Sequence, residues 1–317
     1  MDAESILSNY EKFKERSLSD RFFKHKTIQL LVEALPPQFL VEDLGQSYEG
    51  RAINLISWGN GPVKIMSWSQ MHGDESTGTM AVFDLCNYLT AYAELPEIIG
   101  LSKKCTLYFI PMVNPDGAEY FTRRNRQQID INRDFDGQRS PEAKILRQAR
   151  AEINPHFGFN LHDQNTLWSV KGTAKPATLS YLAPAFNNEC DVNNTRENSM
   201  KVVADMHHTL SPHLPQRIGL FSETYERRAF GDNFQAAGTS TILIEAGGLE
   251  NDPEKQEIRQ YFFLSLLSGI HSVASGSYNQ QTLENYYAIP ANSKNLYHII
   301  IHNVLVNGIN CSLGLND

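Results

Sequence analysis

The sequence predicts an α/β protein whose central sheet is mixed but mostly parallel, with helices on both faces. Short apolar segments with the composition of buried strands alternate along the chain with longer segments whose apolar residues recur at helical spacing. Each strand segment stops abruptly at a polar residue or a turn, as strands of an open α/β sheet do at the edge where ligands bind. The four segments are residues 63–68, 105–110, 157–161 and 239–245.

Composition describes an ordinary globular protein. The chain has 317 residues, of which 41% are hydrophobic and 20% charged, enough to bury a large core. Its net charge of −8 argues against a nucleic-acid partner. The sequence shows neither a membrane-length apolar run nor a signal-peptide pattern, so we expect a cytoplasmic protein without a membrane partner. Its four cysteines have no paired spacing and predict no disulfide framework.

The first third of the chain predicts scaffold elements around the first buried strand. Residues 4–34 carry apolar positions at helical spacing and predict two helices. Residues 39–57 alternate apolar and polar side chains around a glycine-containing turn, which predicts a hairpin. Residues 79–92 predict the helix after the first buried strand, and residues 96–104 are interpreted as connecting material.

The remainder predicts further helices and a distinct C-terminal segment. Ser140 is a predicted N-cap, and residues 165–193 are interpreted as a long irregular excursion. Helices are expected over residues 195–210 and 253–275. We therefore predict a catalytic domain at 1–275, with a helical N-terminal segment to about residue 37. Residues 276–317 form an extension, either a β-hairpin about Asn307-Gly308 or the start of a small domain.

Candidate metal ligands lie where two predicted strands end. His72 and Glu75 occupy a strand-to-helix junction, and His162 follows another apolar strand. Imidazole and carboxylate groups are preferred ligands of catalytic zinc, which takes three protein ligands. Each position alone also fits a hydrogen-bonded structural residue.

A polar loop and one strand-end acid add candidate catalytic groups. Four arginines within residues 123–133 form either a solvated basic patch or a carboxylate-binding pocket, because a guanidinium matches a carboxylate bidentately. Glu245 ends a strand that is otherwise apolar. Such surroundings raise a carboxyl pKa toward the range of a general base, although a salt-bridged structural acid is the simpler alternative.

Six motifs follow one another along the chain. They are the entry segment 45–51, the pair His72 and Glu75, the turn Asn114-Pro115-Asp116-Gly117, the element 129–135, His162, and Glu245 before Gly247-Gly248. As an ordered set, these motifs, which lie between residues 45 and 270, resemble the zinc carboxypeptidase family of metallopeptidases. The spacing between Asn114 and Asn132 is compact, which is closer to bacterial and cytosolic members than to digestive ones.

The resemblance implies a fold, a cofactor and a role for each residue. The fold would be that of a zinc carboxypeptidase. One Zn²⁺ per chain would be held by the three ligands named above, and Glu245 would activate a zinc-bound water. Arg123 falls at the spacing of the oxyanion-stabilising arginine, with Arg124 and Arg126 close enough to compete. Asn132 and Arg133 would bind the terminal carboxylate of a substrate. Tyr225 matches the mobile tyrosine of the family by distance only.

The resemblance therefore predicts a zinc-dependent carboxypeptidase that hydrolyses the amide bond next to a free C-terminus. Its partner would be a peptide or a peptidoglycan-derived peptide, and the oligomeric state is open. Residues 227–232 would contribute to the side-chain pocket, in which Arg228, Phe230 and Asp232 are equal candidates for setting specificity. Two alternatives stay open, an aspartoacylase-like zinc deacylase of N-acyl amino acids and a catalytically silent module that binds C-termini.

Overall fold

A computed structural model, which describes residues 2–316, contains an eight-stranded mixed sheet. The strands are β1 (Phe39–Gln46), β2 (Ala52–Gly59), β3 (Val63–Ser69), β4 (Cys105–Ile110), β5 (Phe157–Asp163), β6 (Ser169–Val170), β7 (Leu179–Leu182), β8 (Ile218–Leu220), β9 (Ser240–Ala246), β10 (Asn292–Ser293), β11 (Ile299–Val306) and β12 (Ile309–Leu315). The strand order in the large sheet is β1-β2-β4-β3-β5-β9-β7-β8. The four adjacent strands β4, β3, β5 and β9 are parallel to one another, whereas β1, β2 and β7 join by antiparallel pairing.

Helices cover both faces of the sheet. Adjacent strand residues point to opposite faces, and Ile65 and Met66 accordingly belong to different hydrophobic clusters. The helices are α1 (Ala3–Ser8), α2 (His25–Glu33), α3 (Thr77–Ala91), α4 (Pro96–Lys104), α5 (Pro115–Tyr120), α6 (Pro141–Ile153), α7 (Asn194–Leu210), α8 (Phe230–Ala236), α9 (Gln256–Ser275) and α10 (Leu283–Tyr287). The larger cluster includes residues of α3, α7 and α9, and the smaller one includes residues of α6 and α8. The predicted fold class is confirmed.

Two sequence interpretations were wrong. Residues 96–104, taken as a connection, form α4. This helix has proline in its first turn and Lys103 and Lys104 in its last, which are favourable end residues. The excursion at residues 165–193 is not wholly irregular, because it contains β6 and β7, and β7 is a strand of the main sheet. Strands of two and four residues are too short to show a period in the sequence.

A buried ion pair ties the N-terminal segment to the sheet-covering helices. Arg259 of α9 donates to both carboxylate oxygens of Asp84 in α3, at 2.6 and 2.7 Å, and both side chains are fully buried. The Tyr10 hydroxyl donates to the same carboxylate at 2.5 Å, and Arg259 also donates to the carbonyl of Leu18. Hydrogen bonds to this charged pair therefore attach the irregular N-terminal residues to α3 and α9.

The C-terminal residues fall into two parts. Residues 277–293 pack on the main body, where Tyr286 is 1% exposed and β10 pairs with β6. Strands β11 and β12 form the antiparallel hairpin predicted around Asn307-Gly308, and most of its residues are exposed, among them Leu305 at 72%. No helix within residues 2–316 has the length and apolar character needed to cross a membrane.

Candidate active site

The predicted metal ligands and the predicted general base meet at one edge of the sheet. His72 and Glu75 lie between β3 and α3, His162 lies in β5, and Glu245 lies in β9. Strands β3, β5 and β9 are adjacent and parallel, and His162 pairs in register with Glu245. Parallel neighbours end at the same edge, so residues far apart in the chain converge there.

The three candidate ligands are in direct contact around a common point. The Nδ1 atoms of His72 and His162 lie 2.7 and 2.6 Å from the two carboxylate oxygens of Glu75. The ligand atoms of the three residues all lie within 4.8 Å of one another, and the side chains are buried. Within residues 2–316, no other group of three histidine, cysteine or acidic side chains has its ligand atoms this close together.

The residues present fit a zinc ion. Two imidazoles and a carboxylate are the donor types that catalytic zinc takes. The Nδ1 atoms of both histidines face the Glu75 carboxylate. Nε2 of His72 contacts Asp130 Oδ1 at 3.2 Å, a carboxylate contact that orients a metal-binding histidine. Burial lowers the pKa of His162, which favours the neutral, ligating form of the ring.

A second turn fixes the loop that carries the first two ligands. Asn114 caps α5 by accepting from the Gly117 backbone N–H at 2.8 Å, and its amide donates to Met71. Gly73 packs so closely on this turn that a Cβ atom there would lie 2.0 Å from the Gly117 carbonyl carbon. A side chain at position 73 would therefore displace the ligand loop.

The entry segment and this second turn, which share no sequence neighbourhood, are in contact. Asp116 accepts hydrogen bonds from the Ser47 hydroxyl at 2.6 Å and from Arg51 at 2.7 Å, and its side chain is fully buried. Two of the six motifs found in the sequence, the entry segment and the turn at Asn114, thus form one connected support for the ligand loop.

Glu245 is a buried carboxyl group with one oxygen that has no hydrogen-bond partner among the described residues. The residue is 8% exposed, and its Oε2 atom has no hydrogen-bond partner among the described residues. Burial raises the pKa of Glu245 well above its usual range, and the carboxylates of Glu75 and Asp163 add to this effect. The protein therefore provides a desolvated carboxyl group beside the ligands.

A buried lysine lies behind Glu245. Lys255 donates to Asp163 Oδ2 at 3.0 Å and to the carbonyl of Ala246 at 2.9 Å, and it is 2% exposed. The Thr77 hydroxyl donates to the same Asp163 oxygen at 2.8 Å. Lys255 therefore joins the residues that follow His162 and Glu245. It was missed in the sequence because no motif or periodicity marks this position.

The structure separates the three arginines that the sequence left in competition. The Arg123 guanidinium reaches the ligands, with its Nη1 atom 3.2 Å from Glu75 Oε1 and 3.1 Å from His72 Nδ1. Arg124 donates instead to the carbonyl of Gln128, and Arg126 pairs with Glu49. Only Arg123 of the three lines the cleft described below.

A cleft of about 320 Å³ contains the ligands, Glu245, Asn132 and Arg133. The Asn132 carbonyl oxygen Oδ1 accepts from the Phe230 backbone N–H at 3.0 Å, which ties the loop to α8. The Arg133 Nε atom donates to Glu226 Oε2 at 3.2 Å, so a carboxylate of the protein itself lies on this guanidinium.

Tyr225 is not among the residues that line the cleft, although its neighbours Thr224 and Glu226 are. Its side chain is half-buried. The structure therefore places the other predicted residues in one cleft and leaves Tyr225 beside it. Asp130 and Asn160, which belong to the site, were not chosen from the sequence. Asp130 lies in the motif 129–135 and could have been found there, whereas Asn160 has no such mark.

Comparisons with known proteins point to one protein family. The model of the family described as zinc carboxypeptidase matches residues 25–209, more than half of the chain. Carboxypeptidase D of Drosophila melanogaster is 30% identical over 42% of this chain and 10% of its own length, and carboxypeptidase B of Astacus astacus is 24% identical over 57% and 56%. The chain thus spans about half or less of these curated relatives. A metallo-carboxypeptidase from Burkholderia cenocepacia has the same fold, with a TM-score of 0.64 at 19% identity over 80% of this chain and 70% of its own.

Proposed function

The chain belongs to the zinc carboxypeptidase family, and from that premise we propose that it is a zinc-dependent metallocarboxypeptidase. It would hydrolyse the amide bond next to the free C-terminal carboxylate of a peptide. The observation that carries the proposal is the convergence of His72, Glu75 and His162 with Glu245 in a cleft that also contains Arg133. A silent binding module would need no desolvated carboxyl group beside its metal ligands.

His72, Glu75 and His162 would hold the zinc ion. Zinc at such a site supplies a Lewis acid and lowers the pKa of water toward neutrality. Glu245 accepts a proton from the attacking water at its unpartnered Oε2 atom and passes it to the leaving amine nitrogen. The water oxygen bonds to the carbonyl carbon, the C–N bond breaks, and the terminal amino acid leaves with its amine.

Two arginines bind different parts of the substrate, Arg123 the carbonyl oxygen of the cleaved bond and Arg133 the terminal carboxylate. Arg123 lies against the ligands and is 44% exposed, so its guanidinium can turn to donate to the carbonyl oxygen as that atom gains charge. Arg133 binds the terminal carboxylate, together with the Asn132 amide. Tyr225 closes over the bound residue through movement of its loop, since it lies next to the cleft-lining Thr224 and Glu226.

The proposed substrates are peptides with a free C-terminus, including peptides released from peptidoglycan. The first experiment measures the zinc content per chain by elemental analysis, for the wild type and for His72→Ala, after purification without chelators. The same preparations are assayed with pairs of peptides that differ only in a free or an amidated C-terminus.

About one zinc per chain, lost in His72→Ala, is expected, with hydrolysis restricted to the free C-terminus. Glu245→Gln is the matched control, because it is expected to keep the zinc and lose about 10²- to 10⁴-fold in kcat. N-acetylaspartate is assayed as a further substrate, and its hydrolysis in preference to the peptides would favour the deacylase alternative. Equal hydrolysis of amidated peptides, or full activity in Glu245→Gln, would contradict the proposed function.

A further inference from the structure

The C-terminal hairpin presents large apolar side chains to solvent. Strands β11 and β12 form a two-stranded sheet of their own, and an isolated hairpin of this kind is marginally stable in water. Its isoleucine, leucine and valine side chains are nevertheless exposed, from Leu313 at 38% to Leu305 at 72%. Apolar surface concentrated in this way on one exposed element marks an interaction site.

A β-bulge keeps most of the apolar side chains of β11 on one face. The pairing is regular up to Ile301 opposite Leu313 and resumes at Val304 opposite Cys311, so β11 carries one residue more than β12 between these pairs. Asn303 has a φ of 58°, a left-handed conformation that occurs at bulges and that asparagine tolerates. Since side chains alternate between faces, the extra residue brings Val304 onto the same face as Ile301.

Eight apolar residues therefore share one face, which we call the apolar hairpin face. The opposite face carries polar side chains as well, and His302 Nδ1 lies there 2.9 Å from the Ser312 hydroxyl. The apolar hairpin face consists of four cross-strand pairs, Ile299 with Leu315, Ile301 with Leu313, Val304 with Cys311, and Val306 with Ile309.

The hairpin lacks the charged residues by which exposed strands usually avoid association with other chains. Residues 295–316 contain no aspartate, glutamate, lysine or arginine. A charged protein partner or an anionic lipid surface would therefore find no complementary charge on this element. An uncharged apolar face is, in contrast, complementary to a second copy of itself.

The sizes of the side chains change along the apolar hairpin face in a way that suits two-fold packing. The half next to the main body carries only isoleucine and leucine. In the half next to the turn, three of the four residues are smaller, namely Val304, Cys311 and Val306. A two-fold axis through the middle of the face places the large half of one copy on the small half of the other. Large side chains opposite small ones fill such a layer without voids.

The apolar hairpin face is also large enough for a pair. Its six most exposed side chains are 38–68% exposed, which amounts to on the order of 500 Å² of apolar surface on each copy. Two such faces together bury about 1,000 Å², near the lower limit for a specific interface. A dimer of this size is expected to dissociate at micromolar concentration.

We propose that the apolar hairpin face binds the same face of a second copy of this chain, so that two hairpins form a four-stranded β-sandwich around a two-fold axis. The two hairpins stack about 10 Å apart, as packed sheets do. None of the eight residues lines the cleft, so dimer formation is independent of the proposed function.

Sedimentation velocity of the full 317-residue chain tests the proposal between about 1 µM and about 100 µM. We expect mainly monomer at the lower concentration and mainly dimer at the higher one. Ile301→Lys places like charges in the interface and is expected to raise the dimer dissociation constant at least about a hundredfold. Ile300→Lys is the matched control, because Ile300 is 47% exposed and Ile301 46%, yet Ile300 lies on the opposite face; its effect should stay below about threefold.

A second pair of variants tests the bulge. Val306→Lys is expected to dissociate the dimer, whereas Leu305→Lys is expected to retain it, although Leu305 is 72% exposed and Val306 only 41%. Exposure alone would predict the larger effect for Leu305. A dimer disrupted by Leu305→Lys and retained by Val306→Lys would therefore overturn the assignment of the apolar hairpin face.

Cysteine labelling of the wild type keeps the test independent of how the variants fold. Cys311 lies in the apolar hairpin face, and Cys190, which is also half-buried, lies outside it. With excess maleimide and peptide mass spectrometry, labelling of Cys311 is expected to slow at least about threefold from the lower to the higher concentration, while Cys190 reacts at a constant rate. A monomer at every concentration, a Cys311 rate that does not change, or equal effects of Ile300→Lys and Ile301→Lys would overturn the proposal.

Discussion

Asp232 lines the cleft, and Asp232→Asn is expected to stabilise the protein at neutral pH. Burial raises the pKa of Asp232 from the usual 3.8 to about 6 in the folded protein. The folded state therefore binds this proton more tightly than the unfolded state does. The stability that comes from the protonated form is complete below pH 4 and is lost as pH rises through 6. Asparagine stays neutral at every pH and retains an oxygen for the Glu226 N–H.

The size of the effect follows from the displacement of the pKa. About two pKa units at about 1.4 kcal/mol each give a gain for Asp232→Asn of about 3 kcal/mol at pH 7 and about 1.5 kcal/mol at pH 5. Urea unfolding of the two proteins at pH 5, 6, 7 and 8 measures this difference directly. Asp136→Asn is the control, since it removes an exposed carboxylate paired with Arg227, and its effect should stay below about 1 kcal/mol. A difference that does not vary with pH, or a destabilised Asp232→Asn protein at pH 7, would refute the reasoning.

Three further predictions concern residues that do not line the cleft. Arg259→Met should lower the unfolding free energy by about 3–5 kcal/mol in urea titrations, because it leaves Asp84 charged and buried, and restoration of stability by Asp84→Asn in the same chain is the check. Lys255→Met should lower the unfolding free energy by a similar amount and should also lower kcat. The reason is that Asp163 and the end of the strand that carries Glu245 lose their common hydrogen-bond donor. An unchanged kcat would contradict this positioning role of Lys255. Removal of residues 298–317 should leave the unfolding free energy of the remainder within about 0.5 kcal/mol of the full chain in urea titrations, because the hairpin is largely exposed, and a larger loss would show that it contributes to the core.

The sequence was informative wherever a structural feature is local. His72, His162 and Glu245 each follow a run of apolar residues, and that arrangement by itself predicts a polar side chain at a strand end. The candidate metal ligands could also be recognised in the sequence, because zinc binds particular side-chain types whatever segments carry them. Helix α4 shows the limit of this approach, because its end residues favour a helix but its middle, with Gly100, does not look like one.

Contacts between distant segments could not be derived in this way. Three arginines near the start of one loop are equivalent in sequence, and only the packing of that loop brings Arg123 to the ligands. The same holds for Glu226, which lies 93 positions after Arg133 in the chain and yet contacts its guanidinium. Nothing in the spacing of the two residues indicates this ion pair, since it depends on where the loop before α8 crosses the cleft.

The sequence by itself therefore determined the fold class, the candidate ligands His72, Glu75 and His162, and the strand-end carboxyl group Glu245. These features depend on local hydrophobic pattern and on residue chemistry, both of which are written in consecutive residues. The tertiary structure decided which arginine reaches the ligands, that Lys255 lies behind Glu245, and that Asp232 rather than Phe230 or Arg228 lines the cleft. Burial, hydrogen-bond satisfaction and pKa depend on atoms contributed by separate elements, so they exist only once the chain has folded.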